Sequence, residues 1–401
     1  MLGLLTSIPG LALLGFVAWT VNKQPSGLSD AFLVRQRLTT RRLDPRTEES
    51  KVAPISDYDP LNPFPFALPE GARDWCVETD IGRLPYERCD PNKPLNVIRL
   101  VGGMTNAFKG VLLGAILSFE QNRCFYLDES NSHLRLRNKD QGEDPIPSIV
   151  NRYFEPIGLQ KDHPKVKQAF SDGSYEERPF ITLWDDIRVR RPLNTSSSIE
   201  NLFYHEIEGH HLKRTMLKRM WRFLPQFRNR ACSGLETHLP SSEDYMAMSI
   251  RRGDKTLEGV TYLDIRMYID NAQEAIGTIF DGRVPTIFVA TDDCSALGEL
   301  RSLRPSWIFV SECDITTKDS SDLHGFTLRD MKDWTMEQTD AHYEKFFVEL
   351  LGLVSAKYFI GTAYTNVSWW VFFMRKPDRN MFQILDPPAD NKDHLLNFWQ
   401  S

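Results

Sequence analysis

The sequence predicts an α/β fold in which two parallel sheets, one in each half of the chain, are covered by helices. Short apolar runs alternate with segments of helical periodicity in both halves, as in βαβ units. Apolar residues make up 41% and aromatic residues 11% of the chain, which is enough for sizeable cores. The 401 residues also exceed one typical domain of roughly 150 residues. We therefore expect two α/β domains with a cleft between them.

Residues 1–22 are predicted to be a transmembrane signal anchor. Residues 1–21 carry no charged side chain, and about 20 apolar residues are enough to cross a bilayer as a helix. A cleaved signal peptide is the alternative, although no clear small-x-small cleavage site precedes Lys23. Basic residues follow the span and none precedes it, so the positive-inside rule alone would place the body in the cytosol. Residues 23–70, rich in proline, serine, aspartate and arginine, are predicted to be a stem or linker.

Residues 71–240 are predicted to form the first α/β domain. An apolar run at 95–101, a helical pattern at 106–121 and a second apolar run at 124–127 together indicate a βαβ unit. The segment 138–195 is predicted to be rich in loops, and residues 202–227 are predicted to be helical.

Residues 241–401 are predicted to form the second α/β domain. The predicted strands are 245–250, 286–290, 307–310 and 358–361. The predicted helices are 262–280, 295–303, 337–355 and 365–374. This alternation is typical of a parallel sheet that is covered on both faces.

The six cysteines are an even number, which is compatible with disulfides in an oxidising compartment. Cys76 and Cys89 flank a short polar loop and are the expected pair, whereas Cys124 is expected to be a buried free thiol. The formal net charge of -6 argues against a general nucleic-acid binder and leaves room for a local basic pocket.

Arg251 and Arg252 stand where an apolar strand is predicted to end. A guanidinium presents a planar fork of donors that matches phosphate oxygens, so two adjacent arginines suit a diphosphate. In open α/β sheets, ligands bind at the carboxyl ends of the strands. The alternative is a solvated turn with a chance cluster of charge.

Asp292 and Asp293 follow the apolar run 286–290 directly. They would lie at the same sheet edge as the two arginines if the strands are neighbours. Asp293 would also cap a helix beginning at Ser295. A functional role and a capping role are compatible.

Two turns can offer backbone donors to an anion. Gly102 and Gly103 precede a predicted helix that begins at Asn106, and residues 362–365 lie between a strand and a helix. An ordinary βα turn is the alternative in both cases. No metal site is predicted around His205, because His210 follows it at five residues and the H-E-x-x-H spacing requires four.

Taken in order, these blocks resemble the superfamily of GDP-fucose-dependent fucosyltransferases. They are most similar to the α1,6-fucosyltransferase type, which is related to the protein O-fucosyltransferases. That family has a strand followed by H-x-R-R-x-D-K, a strand followed by A-T-D-D, and a strand followed by a T-F-S-S-like turn. The matching residues here are 250–255, 290–293 and 362–365, and the resemblance extends over 97–374.

The resemblance implies two Rossmann-like domains of the glycosyltransferase B type, with the nucleotide held mainly by the second domain. It implies inverting transfer of fucose from GDP-fucose to a glycan or glycoprotein acceptor, without a metal or other cofactor. It also implies a single-pass protein of the Golgi or ER membrane with a lumenal body. The implied donor-binding residues are Gly102, Gly103, Asn106, Arg251, Arg252, Lys255, Asp292, Asp293, Glu349, Thr362, Tyr364 and Thr365. Among them, Glu349 takes the place of an acidic residue that reads guanine.

The implied catalytic machinery departs from the family pattern at two positions. Ser249 stands where the family has a histidine, and Gly259 stands where it has an acidic residue. Arg251 and Arg252 would stabilise the leaving diphosphate. Glu258 is the first candidate for the general base and Asp254 the second. A transferase for another nucleotide sugar and a catalytically silent glycan- or nucleotide-binding relative are the alternatives.

Overall fold

The computed structural model describes residues 70–76, 89–100, 103–130, 149–179, 214, 216–239, 244–253, 263–313, 334–362, 365–375 and 382–386. These residues belong to one compact unit, Asp59–Ser401. The predicted anchor lies outside the described residues, and so does the predicted stem except for residue 70. Within the described ranges, no helix is both long and apolar enough to cross a membrane.

Helices and parallel strands alternate along the chain, as the sequence predicts. The helices are α1 (Glu70–Cys76), α2 (Met104–Glu120), α3 (Ile149–Tyr153), α4 (Pro164–Asp172), α5 (Pro225–His238), α6 (Ile265–Thr278), α7 (Ser295–Leu303), α8 (Met336–Ser355) and α9 (Asn366–Met374). The strands are β1 (Leu95–Arg99), β2 (Phe125–Asp128), β3 (Tyr175–Pro179), β4 (Met246–Ile250), β5 (Ile287–Thr291), β6 (Phe309–Val310), β7 (Tyr358–Gly361) and β8 (Phe382–Ile384).

The first half contains a parallel sheet with the strand order β2-β1-β3. Val97 is opposite Tyr126 on one side of β1 and opposite Glu177 on the other. Helix α2 packs closely on this sheet at Gly114, where an added Cβ would lie 2.3 Å from Ile98 Cδ1. The predicted βαβ unit is confirmed.

The second half contains a five-stranded parallel sheet with the order β6-β5-β4-β7-β8. Every residue of β4 and β5 is buried, so these strands form near-continuous apolar runs. Strands β5 and β7 flank β4. The carboxyl ends of these three strands therefore meet at one edge, where the candidate site lies.

Two expectations for the first half are met only in part. The segment 138–195 is predicted to be rich in loops, but its described part, 149–179, also contains α3, α4 and β3. The predicted helix 202–227 is also not continuous: residues 216–220 are helical, 221–224 are not, and Pro225 begins α5. Proline disfavours a helical conformation at the preceding residue, and Leu224 accordingly has an extended ψ of 143°.

One hydrophobic core contains residues from both halves. Its central aromatic side chains are Phe108, Tyr153, Phe154, Trp221, Phe223, Phe347 and Trp370. Trp370 Nε1 in α9 donates to the carbonyl oxygen of Thr105 in α2 at 2.8 Å. The start of α2 therefore lies beside α9. The predicted domain boundary near residue 240 stays a prediction.

The disulfides differ from the expected pairing. Cys76 pairs with Cys232, Cys89 with Cys124, and Cys294 with Cys313. The expected Cys76–Cys89 bridge is wrong, because α1 packs against α5 and brings Cys76 to Cys232. The expectation of a free thiol at Cys124 is also wrong. A backbone β-bridge between Asp90 and Arg123 brings the neighbouring Cys89 to Cys124, just before β2.

Candidate functional site

Asp292 holds the loop that carries the two arginines. Its Oδ1 accepts from the Arg252 backbone N–H at 2.9 Å, and its Oδ2 accepts from the Gly253 backbone N–H at 2.8 Å. Oδ2 also lies 3.2 Å from Arg251 Nη1. The Asp292 side chain is only 1% exposed, whereas that of Arg251 is 25% exposed. The buried carboxylate thus fixes the backbone of the loop, and the Arg251 guanidinium remains partly exposed to solvent.

Arg252 faces helix α7. Its guanidinium makes a two-pronged contact with Glu299, with Nη1 2.5 Å from Oε1 and Nη2 2.9 Å from Oε2. Nη1 also lies 3.7 Å from Asp293 Oδ2. The hydrogen bonds of this pair raise the pKa of Arg252 and lower the pKa of Glu299. Arg252 is therefore already engaged by carboxylates.

Asp293 lies two residues before the start of α7, whose N-cap residue is Cys294 and not Asp293, but its side chain contacts the first residue of the helix. Its Oδ1 accepts from the Ser295 backbone N–H at 3.0 Å and from the Ser295 hydroxyl at 2.6 Å. The two neighbouring aspartates thus have separate tasks: Asp292 organises the arginine loop and Asp293 organises the first turn of the next helix.

The turn after β7 lies at the same edge, because β7 is paired with β4. Thr362 is buried at the end of this strand. Thr365 is also buried, and its hydroxyl accepts from the Val367 backbone N–H at 3.2 Å, capping α9. The Thr365 oxygen is thus already used within the fold, and α9 begins shortly after the carboxyl end of β7.

Gly103 is the N-cap residue of α2, and its carbonyl oxygen accepts from the Ala107 backbone N–H at 2.9 Å. The backbone of Asn106 lies in the first turn of this helix. The other predicted site residues Gly102, Asp254, Lys255, Glu258 and Tyr364 lie outside the described residues, as does the side chain of Asn106. Their assigned roles stay predictions.

Glu349 lies in α8 near the end of β5. Three residues further along α8, Gly352 allows close packing, since an added Cβ would lie 2.4 Å from Phe288 Cε1. Burial is the main cause that raises the pKa of Glu349 to about 7, and the positive charge of nearby Lys345 partly offsets this by lowering the pKa. Glu349 Oε1 lies 4.0 Å from Lys345 Nζ and has no hydrogen-bond partner within the described part of the chain. A nearly buried acceptor of this kind suits a ligand with N–H donors.

A disulfide and a buried contact between a histidine and a glutamate lie beside Lys345 and Glu349. Lys345 Nζ is 3.9 Å from Cys294 Sγ and 3.8 Å from Cys313 Sγ. Glu312 precedes Cys313, lies 2.6 Å from His238 Nε2 and contributes to the raised pKa of Glu349. Because Cys294 precedes α7 and Cys313 follows β6, the disulfide joins two segments at the carboxyl edge of the sheet.

His342 is a further side chain at this site and lies on α8, as Glu349 does. Burial lowers the pKa of His342 to about 3, and Arg251 and Lys345 lower it further by like charge. Its ring centroid is 5.2 Å from that of Trp334. The imidazole is therefore neutral beside the arginine loop at physiological pH.

The sequence interpretation missed Glu299, Lys345, Glu312 and His342. Lys345 could have been found from its four-residue spacing to Glu349, which places both on one helix face. Glu299 has no such signal, because its partner is 47 residues away. Among the described residues, no group of three or more histidine, cysteine, aspartate or glutamate side chains could hold a metal ion.

The fold and this edge define an α/β protein with an arginine loop clamped at the carboxyl ends of a parallel sheet. No protein-family model and no curated protein sequence matches the chain. Among solved structures, NodZ α1,6-fucosyltransferase soaked with GDP-fucose is similar at a TM-score of 0.41 and 13% identity, covering 71% of this chain and 93% of that one. Fucosyltransferase NodZ from Bradyrhizobium is similar at a TM-score of 0.42 and 13% identity, covering 71% of this chain and 94% of that one. POFUT1 in complex with GDP-fucose is similar at a TM-score of 0.40 and 12% identity, covering 75% of this chain and 99% of that one.

Proposed function

We propose that this chain is a fucosyltransferase that binds GDP-fucose at the carboxyl edge of the second sheet and transfers fucose to a glycan or glycoprotein acceptor. The observation that carries the proposal is the contact of Asp292 with the loop of Arg251, Arg252 and Gly253. A diphosphate needs fixed positive charge and free donors, and this carboxylate holds a guanidinium in place before the ligand arrives. The order of the sequence motifs supports a GDP-sugar as the ligand.

Glu349 supports guanine as the base. Guanine presents the N1 and N2 hydrogens as donors, and Glu349 Oε1 is a buried acceptor without a partner among the described residues. Oε1 lies 4.0 Å from Lys345 Nζ, which is the outer limit for an ion pair, so this oxygen can still accept from a ligand. Uracil lacks the adjacent pair of donors, so this carboxylate favours a GDP-sugar over a UDP-sugar.

The proposed reaction is an inverting displacement. The acceptor hydroxyl attacks the anomeric carbon of fucose, the bond from that carbon to the diphosphate oxygen breaks, and GDP leaves with the bonding electrons. Arg251 stabilises the charge that grows on the diphosphate, which replaces the need for a metal ion. The hydroxyl proton passes to a carboxylate, for which Glu258 and then Asp254 remain the proposed bases.

The test is a donor panel with the purified chain. We expect release of GDP from GDP-fucose in the presence of a glycoprotein acceptor, unchanged by a chelator, and much slower turnover of GDP-mannose and UDP-galactose. Arg251→Ala should abolish turnover, whereas Arg283→Ala removes an exposed arginine at the opposite end of β5 and should have no effect. Turnover by Arg251→Ala at the wild-type rate would refute the assignment.

Two other outcomes of this panel have specific meanings. Preference for another nucleotide sugar would identify a different transferase. Binding of GDP without turnover of any donor would identify a silent relative, which Ser249 and Gly259 favour because both replace residues of the family motif.

We also propose that residues 1–22 anchor the protein in the Golgi or ER membrane with its body in the lumen. The three disulfides support this placement, because such bonds persist in oxidising compartments. Protection of the body from added protease in intact microsomes is the expected result, and digestion without detergent would contradict it.

A further inference from the structure

The contact between Arg252 and Glu299 links the arginine loop to helix α7. The two guanidinium nitrogens meet the two carboxylate oxygens at 2.5 and 2.9 Å. A planar fork that meets a carboxylate at both prongs fixes orientation as well as distance. Arg252 is therefore directed along the sheet edge toward α7.

The surroundings of Arg252 differ from those of Arg251. The Arg252 side chain is 13% exposed and lies near two carboxylates, those of Asp293 and Glu299. Arg251 is more exposed, and its guanidinium lies near the carboxylate of Asp292. Two adjacent arginines at the same loop thus face different partners, which argues for different tasks.

The ion pair itself contributes little to global stability, because the Glu299 side chain is 48% exposed. Its main physical effect is local. Asp292 holds the backbone of residues 252 and 253, and Glu299 holds the side chain of Arg252. Together, Asp292 and Glu299 fix the backbone of the loop and the orientation of the Arg252 side chain.

We propose that Glu299 is a positioning residue for the donor site: by holding Arg252 against α7, it sets the loop so that Arg251 faces the diphosphate. This inference rests on the proposed function. It differs from the family-derived expectation that both arginines grip the diphosphate. In that alternative, Glu299 competes with the phosphate for Arg252, and its removal would strengthen binding.

The two alternatives predict opposite changes in GDP affinity for Glu299→Ala, which a calorimetric titration with GDP measures. If Glu299 positions the loop, the variant binds GDP about five- to tenfold more weakly, within the coupling expected for side chains that share an ion pair. Glu299→Gln keeps one acceptor oxygen and should lose less. Glu274→Ala is the matched control, since it removes an exposed helical glutamate from α6.

Arg252→Ala and the double variant complete the cycle. We expect Arg252→Ala to weaken GDP binding about as much as Glu299→Ala, and the double variant to be no weaker than the single ones, because both act through one contact. The unfolding midpoint of Glu299→Ala should match that of Glu274→Ala. If Arg252→Ala fails to fold, Arg252→Lys takes its place, because it keeps the charge and loses the fork.

Three results would overturn the inference. Unchanged or tighter GDP binding by Glu299→Ala would identify Glu299 as a bystander or competitor. Losses that multiply in the double variant would show that Arg252 and Glu299 act separately. Failure of the wild-type chain to bind GDP would overturn the proposed function and this inference with it, and it is distinguished by occurring before any substitution.

Discussion

Asp292 Oδ2 lies 3.2 Å from Arg251 Nη1, and the two residues follow neighbouring parallel strands. The same oxygen accepts a backbone N–H of the arginine loop. A single buried carboxylate therefore sets both the backbone of this loop and the side chain proposed to meet the diphosphate.

We expect Asp292→Asn to reduce both stability and GDP affinity. An asparagine offers one oxygen, so its amide nitrogen would face either the Arg252 backbone N–H or both the Gly253 backbone N–H and the Arg251 guanidinium. A buried donor without an acceptor typically costs about 1–3 kcal/mol of unfolding free energy. Urea unfolding and GDP titration measure the two effects, with the exposed Asp270→Asn as control. Wild-type GDP affinity in Asp292→Asn would contradict this role.

Stability should fall as pH rises through the range in which Glu349 titrates. Its pKa is raised from the ordinary value of 4.5 to about 7, so the folded state keeps a proton that the unfolded chain releases. This contribution is full below about pH 4.5 and is lost between that pH and about pH 7. Its size is on the order of 3 kcal/mol at most.

Urea unfolding of Glu349→Gln at pH 5 and pH 7.5 tests this linkage. Glutamine stays neutral, so the variant should lose the slope that Glu349 causes and should be more stable than wild type at the higher pH. Glu274→Gln, at an exposed position, should keep the wild-type slope. An unchanged slope in Glu349→Gln would exclude Glu349 as its source.

Removal of the Cys294–Cys313 disulfide should weaken GDP binding as well as stability. The bridge spans 19 residues, and a loop of this length contributes roughly 3 kcal/mol to stability. It also holds the start of α7, next to Asp293. Replacing Cys89 and Cys124 by alanine is the control, because that pair joins the first sheet and should affect stability alone. Equal GDP affinity in both double variants would contradict this prediction.

Gly352→Ala should be destabilising by about 1–3 kcal/mol, the usual cost of overpacking a core. The added Cβ would lie 2.4 Å from Phe288 Cε1, so α8 or the ring must shift. Gly298→Ala is a matched change in α7, where nothing lies within 4 Å of the added atom. It should stabilise by roughly 0.5–1 kcal/mol, because alanine has the higher helix propensity. Thermal unfolding of both variants measures the contrast, and equal midpoints would refute it.

The central strands β4 and β5 could be predicted from the sequence because all their residues are buried and form apolar runs. The edge strand β8 is not predicted, and its three residues are only partly buried. Strand β3 could not be predicted, because its sequence Tyr-Glu-Glu-Arg-Pro is mostly charged. It pairs with β1, and its carboxylates meet Arg99 and Arg123 from other elements. Such tertiary ion pairs override the local polarity of a segment.

The meeting of Arg251 with Asp292 could also be predicted, because residues at the ends of neighbouring parallel strands share a sheet edge. The partner of Arg252 could not. Glu299 is a polar residue on a helix surface, and only the orientation of α7 brings it to the arginine loop. The disulfide between Cys76 and Cys232 has the same origin, since 156 residues separate two cysteines that the packing of α1 on α5 brings together.

The most direct test of the proposed donor site is a calorimetric titration of GDP into wild type, Arg251→Ala and Arg283→Ala. We expect one GDP to bind per wild-type chain, and Arg283→Ala to bind equally well. Arg251→Ala should bind at least about thirtyfold more weakly, which corresponds to the loss of roughly 2 kcal/mol expected when one partner of a charge pair is removed. Equal affinity in all three proteins would contradict the assignment of this sheet edge as the diphosphate site.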